Sequence, residues 1–265
     1  MPEKTVLINK NNKICTLTLN RPKVMNALNL DVSLELMAAF EQIAKDADIN
    51  VVILEGAGGN FSTGADFSLF YENHSVTEWL EGMQFLTRLI RSIRDVPQPV
   101  IAKLHGAAYG GGSNLALAAD FVIAAHDARF CENFIHIGTI LDTGGTYFLP
   151  RLVGLVRARE LAFLGEEITG KAAASMGLIY KSVLNDELDN EVMTLAQKLS
   201  QKSLKALALI KHGLETSFDN SLKEVMDWEG AHQTIMLQSP EHKAVVKMFL
   251  DARKQKKEQE KNKKS

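Results

Sequence analysis

Three glycine-rich turns bring main-chain atoms within reach of a polar ligand. They read Phe61-Ser62-Thr63-Gly64-Ala65-Asp66, Gly110-Gly111-Gly112-Ser113-Asn114 and Thr143-Gly144-Gly145-Thr146. In the second turn three consecutive Cβ atoms are missing just where the Ala/Leu-rich run Leu115-Ala116-Leu117-Ala118 begins a helix. The N–H groups of a helix start lack intrahelical partners and carry the positive end of the macrodipole. With no side chains in the way, an incoming oxygen reaches them directly. The chemistry this favours is stabilisation of negative charge on oxygen. If the Ala65 and Gly111 N–H groups converge, they form an oxyanion hole, worth about 3–4 kcal/mol per donor.

Two phosphate readings of the triple glycine fail on spacing. A Walker loop needs Gly-Lys-Ser/Thr, and Gly112 is followed by Ser113-Asn114. A dinucleotide fingerprint belongs in the first βα turn, and Gly110-x-Gly112 ends on Leu115 much later in the chain. Close packing of helix on strand remains an equal alternative for the glycines. Asp142, just before the third turn, suits a helix N-cap as well as a general base. Ser113 follows the glycines as a nucleophile might, but no Gly-x-Ser-x-Gly elbow surrounds it. Asp66 and Asp120 read as partners of turn and helix-end backbone. The seven histidines show no metal-ligand spacing, and His105 reads as structural.

These turns need strands and helices to hold them. Val6–Ile8 and Ile14–Leu19 alternate around Asn11-Asn12 as a hairpin, with Asn20–Lys23 a loop. Val32, Leu36, Phe40 and Ile43 recur at helical spacing, and Val51–Leu54 and Pro99–Leu104 are compact buried strands. Ser75-x-x-Glu78 opens a helix predicted to turn Leu80, Met83, Ile90 and Ile93 inward, with Arg88, Arg91 and Arg94 as a solvated stripe. Phe121–Ala124 is a further strand. Strand, glycine turn and helix thus occur near Ala65 and again near Gly111, as repeated units wound side by side. Beyond Val156 the pattern is helical, broken by an apolar segment at Leu178–Val183 after Gly177. Helices are expected at Glu187–Gln201, Leu204–Leu214, Leu222–Leu237 and Pro240–Arg253. This divides the chain into a core at 1–199 and a strand-free helical region at 200–265.

Composition narrows the partners. At 265 residues, 46% hydrophobic and 23% charged with net charge -2, the chain fits one large globular domain with an appendage. That balance gives no whole-protein argument for nucleic acid or an anionic membrane. The lysine-rich end after Arg253 reads as a disordered, solvated tail rather than a nucleic-acid arm. Cys15 and Cys131 have no paired spacing, as expected of a reduced compartment without disulfides. Met1–Lys13 is no charged-then-apolar leader, and no apolar run is long enough for a bilayer. A cytoplasmic protein without a membrane partner is the expectation.

Taken in order, six stretches resemble the crotonase (enoyl-CoA hydratase/isomerase) superfamily over nearly the whole chain. They are Asn20-Arg21-Pro22-Lys23 with Asn26-Ala27-Leu28, the Phe61–Asp66 turn, His105-Gly106 with Gly110-Gly111-Gly112, Gly144-Gly145-Thr146, Leu149-Pro150-Arg151, and Gly177-Leu178-Ile179. The resemblance implies an α/β fold, a spiral of repeated ββα units with a C-terminal helical trimerisation region. It implies acyl-CoA thioesters as substrates, with coenzyme A entering as part of the substrate and no metal or redox cofactor. Self-association as a homotrimer or dimer of trimers is also implied. Ala65 and Gly111 fall on the superfamily's oxyanion-hole positions. Lys23, Val24 and the run Ala65, Asp66, Phe67 and Ser68 fall beside coenzyme A, with Gly111, Asn114 and Phe134 around the substrate.

The departures from the pattern choose the reaction. Hydratases of the superfamily carry two glutamates where this chain has Asn114 and Phe134, and neither side chain shuttles a proton at neutral pH. Asp142 falls where the superfamily's isomerases carry a catalytic aspartate, and the surrounding motifs look most like the 1,2-epoxyphenylacetyl-CoA isomerase and enoyl-CoA isomerase branch. Aryl-CoA dehalogenases also use that position but add a tryptophan and a histidine, where this chain has Phe134 and Arg91. A single carboxylate suffices to move a proton between two carbons of an enolate held at its oxygen. Glu132 is the reserve base if the local register differs. Phe85, Phe134 and Trp79 are candidates for an aromatic-tolerant pocket or for core. The alternatives are an enoyl-CoA hydratase and a non-catalytic CoA- or RNA-binding homologue that uses the lysine tail.

Overall fold

The computed structural model of the protein describes residues 4–71 and 73–262. Within them the chain divides into two compact units at Lys202–Ser203. That boundary lies three residues later than the sequence suggests. Asn50 accounts for the difference, since its Nδ2 donates to the main-chain oxygens of Ser200 (2.9 Å) and Lys202 (3.4 Å), tying both to the first unit.

The first unit begins with the hairpin β1 (Val6–Asn11) and β2 (Ile14–Leu19), antiparallel from Val6↔Leu19 to Asn11↔Ile14. α1 (Leu30–Ala44) starts at Asn29, whose side chain accepts from the Val32 N–H. β3 (Val51–Gly56) joins β2 in parallel, and α2 (Val76–Asp95) follows with the Ser75/Glu78 capping box in place. β4 (Val100–Leu104), β5 (Ala107–Tyr109) and α3 (Gly111–Leu117) make one ββα unit. β6 (Phe121–Ala125), β7 (Arg129–Cys131) and α4 (Gly145–Leu164) make the next. β6 pairs with β4 and β7 with β5, both in parallel, so the second unit winds beside the first.

β8 (Ile168–Thr169), α5 (Gly170–Ser175), β9 (Lys181–Val183) and α6 (Leu188–Ser200) complete the unit. The strands form a six-stranded sheet in the order β1-β2-β3-β4-β6-β9 and a three-stranded sheet β5-β7-β8. Leu17, Leu36, Phe40, Leu54, Leu89, Ile93 and Ile101 fill the core between sheet and helices. The apolar content of β3 and β4 follows from burial on both faces of a parallel sheet.

The second unit is helical: α7 (Leu204–Thr216), α8 (Leu222–Leu237) and α9 (Pro240–Asn262). An apolar groove of about 650 Å³ runs among them, lined by Leu209, Gly213, Val225, Trp228, His232 and Val245. The Trp228 and His232 rings lie 4.2 Å apart, and Gly213 lets its helix approach the indole, because a Cβ there would sit 2.7 Å from the ring.

Several expectations need correction. Leu80 and Met83 are 57% and 38% exposed, because α2 is anchored by its second half, through Leu89, Ile90 and Ile93. Arg94 is not simply solvated: Nη1 donates to Ala118 O (3.4 Å) and its guanidinium covers the Phe148 ring. The lysine-rich end is helical through Asn262, not disordered, since straight-chain Lys, Glu and Gln lose little rotamer freedom in a helix. Its final residues, 263–265, lie outside the described ones. β5 and β7, three residues each, are too short to show a period.

Candidate functional site

Convergence of the three glycine turns follows from the β5–β7 pairing and from two glycine contacts. Gly64 (φ +81°) packs so closely on the second turn that a Cβ would lie 2.7 Å from Tyr109 O and 3.0 Å from the Gly111 nitrogen. A Cβ on Gly111 would lie 3.6 Å from Thr143 Oγ1, which ties the second turn to the third. Leu28 N donates to Gly64 O and Asp66 N to Leu28 O, so the first turn presents Ala65 N between them, unused. Among the described residues, neither the Ala65 nor the Gly111 N–H has an acceptor. Two main-chain donors from adjacent turns can hold one carbonyl oxygen and stabilise charge developing on it.

Asp142 directly precedes Thr143 at the start of the third turn. The helix-cap reading of this residue fails: Gly144 is the N-cap of α4, and no side chain caps it. The carboxylate instead accepts from Thr143 Oγ1 at 3.0 Å. Its main-chain oxygen accepts from Gly145 N (3.0 Å) and Asn114 Nδ2 (3.0 Å), which fixes the loop. Burial raises the Asp142 carboxyl above its ordinary value, opposed by the Thr143 hydrogen bond. Thr143 itself has φ +49°, a left-handed conformation that costs a β-branched residue about 1–3 kcal/mol.

Asn114 and Phe134 complete the surroundings. Asn114 is fully buried on α3, and its Nδ2 also donates to Glu132 Oε2 at 3.3 Å. Phe134 is buried against Gly110, where a Cβ would be 3.6 Å from its ring. Glu132 is buried against Asn114, and its closeness to Asp142 is legible only once β7 is paired with β5.

The remaining sequence candidates separate into rim and framework. Lys23 and Val24 are exposed in a short 3₁₀ turn, Pro22–Val24. Met25 accepts from Thr63 N, and Arg21 pairs with Asp66 at 3.0 Å, so that loop lies along the first glycine turn. Asp66 also accepts from Ser68 N (3.2 Å) and Ser68 Oγ (2.8 Å), which holds its carboxyl below the ordinary range. Exposed Phe67 contacts Phe70 at 5.6 Å, and Phe70 stacks with Trp79 at 6.0 Å.

Ser113 is spent on structure, donating to Ala108 O (2.6 Å) and Cys131 O (3.0 Å). Asp120 accepts from Val100 N at 2.8 Å. Burial lowers the His105 value, in keeping with a framework residue. Among the described residues, no group of three or more His, Cys, Asp and Glu is placed to hold a metal ion. Among them, too, no helix is long and apolar enough to cross a membrane.

Comparison with known proteins identifies the family. The enoyl-CoA hydratase/isomerase family model matches residues 9–260. The chain is 34% identical over 243 residues to the 1,2-epoxyphenylacetyl-CoA isomerase of Escherichia coli K12, covering 91% of this chain and 93% of that protein. It is 33% identical over 255 residues to the crotonyl-CoA hydratase of Syntrophomonas wolfei, covering 96% of this chain and 98% of that protein. Among solved structures, an enoyl-CoA hydratase from Mycobacterium smegmatis superposes with a TM-score of 0.90 at 28% identity, covering 94% of this chain and 97% of that one.

Proposed function

The chain belongs to the enoyl-CoA hydratase/isomerase family, the crotonase superfamily, whose enzymes act on CoA thioesters, and from that premise we propose that it isomerises its acyl-CoA substrate by moving a double bond or opening an epoxide. One observation carries the choice: Asp142 is a partly buried carboxylate that caps no helix and directly precedes Thr143, the residue a Cβ on Gly111 would meet at 3.6 Å. In double-bond migration, the thioester oxygen accepts from Ala65 and Gly111 N–H. Ionised Asp142 takes a proton from the substrate carbon chain, forming the carboxylic acid and an enolate whose charge rests on that oxygen. The Asp142 acid, free to exchange its proton with solvent, delivers one two carbons away, and the carboxylate is regenerated. The reaction is redox-neutral, and main-chain donors carry the charge, so no step asks for a metal or redox cofactor.

Lys23 and Val24, with Asp66, Phe67 and Ser68, lie along the first turn and are proposed to border the coenzyme A portion. Asn114 and Phe134 are proposed to line the acyl side. The two buried free cysteines suit a cytoplasmic enzyme. A panel of 3-enoyl-CoA thioesters beside crotonyl-CoA tests the assignment, with products identified by mass and ultraviolet absorbance. Conversion of 3-enoyl to 2-enoyl thioesters without gain of water is expected. Hydration of crotonyl-CoA as the dominant activity would establish the hydratase alternative instead.

The second unit is proposed to form the contact between subunits of a trimer or dimer of trimers. Leu214, Ile235 and Phe249 are 67%, 68% and 73% exposed there, beside the apolar groove. Light scattering at micromolar concentration is expected to give a mass of three or six chains, and a monomer rejects this assembly.

A further inference from the structure

Glu132 takes no part in the proton transfer proposed above, yet among the described residues it is the only Asp, Glu, Lys, Arg or His that is fully buried, at 1% exposure. It follows Cys131 at the end of β7 and opens the 3₁₀ turn Asn133–Ile137. Oε2 accepts from Asn114 Nδ2, and the same Nδ2 donates to Asp142 O. The other oxygen of each group, Glu132 Oε1 and Asn114 Oδ1, is buried and has no partner. Both are acceptors in the ionised state, so a carboxylate here leaves two unmet acceptors in a dry site.

No cation relieves that arrangement. The charged groups acting on Glu132 are Asp142, on the loop before α4, and Cys131 when it is a thiolate. Arg129, at the other end of β7, is engaged by Glu167 (3.9 Å) and the Tyr109 ring. His136 on the 3₁₀ turn faces Gly165 O at 2.9 Å. α3 carries no titratable residue, and the first turn of α4 brings only Tyr147, stacked on Arg151.

We infer that Glu132 is an uncharged positioning residue: its carboxylic O–H donates to Asn114 Oδ1 while Asn114 Nδ2 donates back to Oε2, and this cyclic acid–amide pair holds the Asp142 main chain in place for proton transfer. One proton satisfies both orphaned oxygens at once. Burial, then the negative charge of Asp142, push the Glu132 carboxyl up from 4.5 to about 8, while the Asn114 hydrogen bond opposes them. The folded value lies above the unfolded one, so the folded chain binds the extra proton. Stability therefore declines as pH rises from about 4.5 to about 8. The role in catalysis rests on the isomerase reading of Asp142, whereas the acid–amide pair does not.

The test uses the full-length protein, grown with glutamate labelled with ¹³C at the side-chain carboxyl and followed by NMR without substrate. One carboxyl resonance is expected to titrate at about 8 and to be missing in Glu132→Gln. If every glutamate titrates in the ordinary carboxylate range, the pair does not exist, and that wild-type result decides even where a variant fails to fold. In steady-state kinetics, wild-type kcat falls as pH rises through about 8 while KM holds. Glu132→Gln, whose amide N–H keeps a donor toward Asn114, loses that alkaline fall. Glu132→Met, without either partner atom, lowers kcat across the pH range. An alkaline fall that persists in Glu132→Gln overturns the positioning role. A resonance at about 8 in a protein that does not isomerise leaves the pair standing and removes its role in proton transfer.

Discussion

Asp142→Asn is expected to lower turnover by about 10²–10⁴-fold while leaving substrate affinity nearly unchanged, because it removes the one group proposed to carry the proton. The substitution keeps the size of the side chain and an oxygen to accept from Thr143 Oγ1. The loop is held through the Asp142 main-chain oxygen, bonded to Gly145 N and Asn114 Nδ2, so its path is unaffected. Fold and melting behaviour should therefore match the wild type. Solvent deuterium should enter the acyl chain with the wild type and not with the variant. Because burial raises the Asp142 carboxyl, wild-type activity should fall on the acid side at a pH above the ordinary aspartate value, as the base becomes protonated. Undiminished isomerisation and deuterium uptake in folded Asp142→Asn would sink the assignment, and Glu132 would then be the base to examine.

Gly64→Ala should be comparably damaging by a different route, reducing kcat/KM by about 10²–10³-fold, the cost of losing one aligned donor. An added Cβ would meet Tyr109 O at 2.7 Å and Gly111 N at 3.0 Å, and both obstacles are main chain. The only relief is to move the first turn away from the second, which parts the Ala65 and Gly111 N–H groups. Alanine at φ +81° also carries backbone strain of about 1–3 kcal/mol, which by itself would lower stability. Gly59→Ala separates the two effects, since Gly59 has φ +86° but nothing within 4 Å of its added Cβ. It should lose stability and retain activity. Equal kinetic losses in the two variants would show that spacing between the turns is not what matters.

How much of this was legible before the structure depends on the length over which each signal acts. The hairpin, β3, β4 and the capped helices declare themselves through several residues of periodicity or through a capping box. The glycine turns are equally plain, and Gly64 does pack on Gly111 and Gly111 on Thr143. β5 and β7 escape, and with them the reason that Glu132 belongs to the site, since only their pairing brings Cys131 alongside Tyr109. Thr143 escapes for another reason: its positive φ is imposed by the loop around it, and its residue type argues against that conformation. The inward reading of Leu80 and Met83 treats a uniform stripe as uniform burial, although only the second half of α2 meets the core.

The side-by-side winding of the two ββα units also bears on how such a protein changes over generations. The donors at Ala65 and Gly111 are main-chain atoms set by glycine spacing on the earlier windings, and they depend on no particular functional side chain. Asp142, Phe134 and Glu132 all come from the later winding, between β7 and α4. Drift in that segment of about a dozen residues, together with position 114 on α3, can exchange one proton carrier for another while the proposed charge-holding pair stays intact. Inheritance of the proposed hole and turnover of the chemistry are thereby uncoupled. A lineage can pass from adding water to shifting a bond without first dismantling its grip on the thioester.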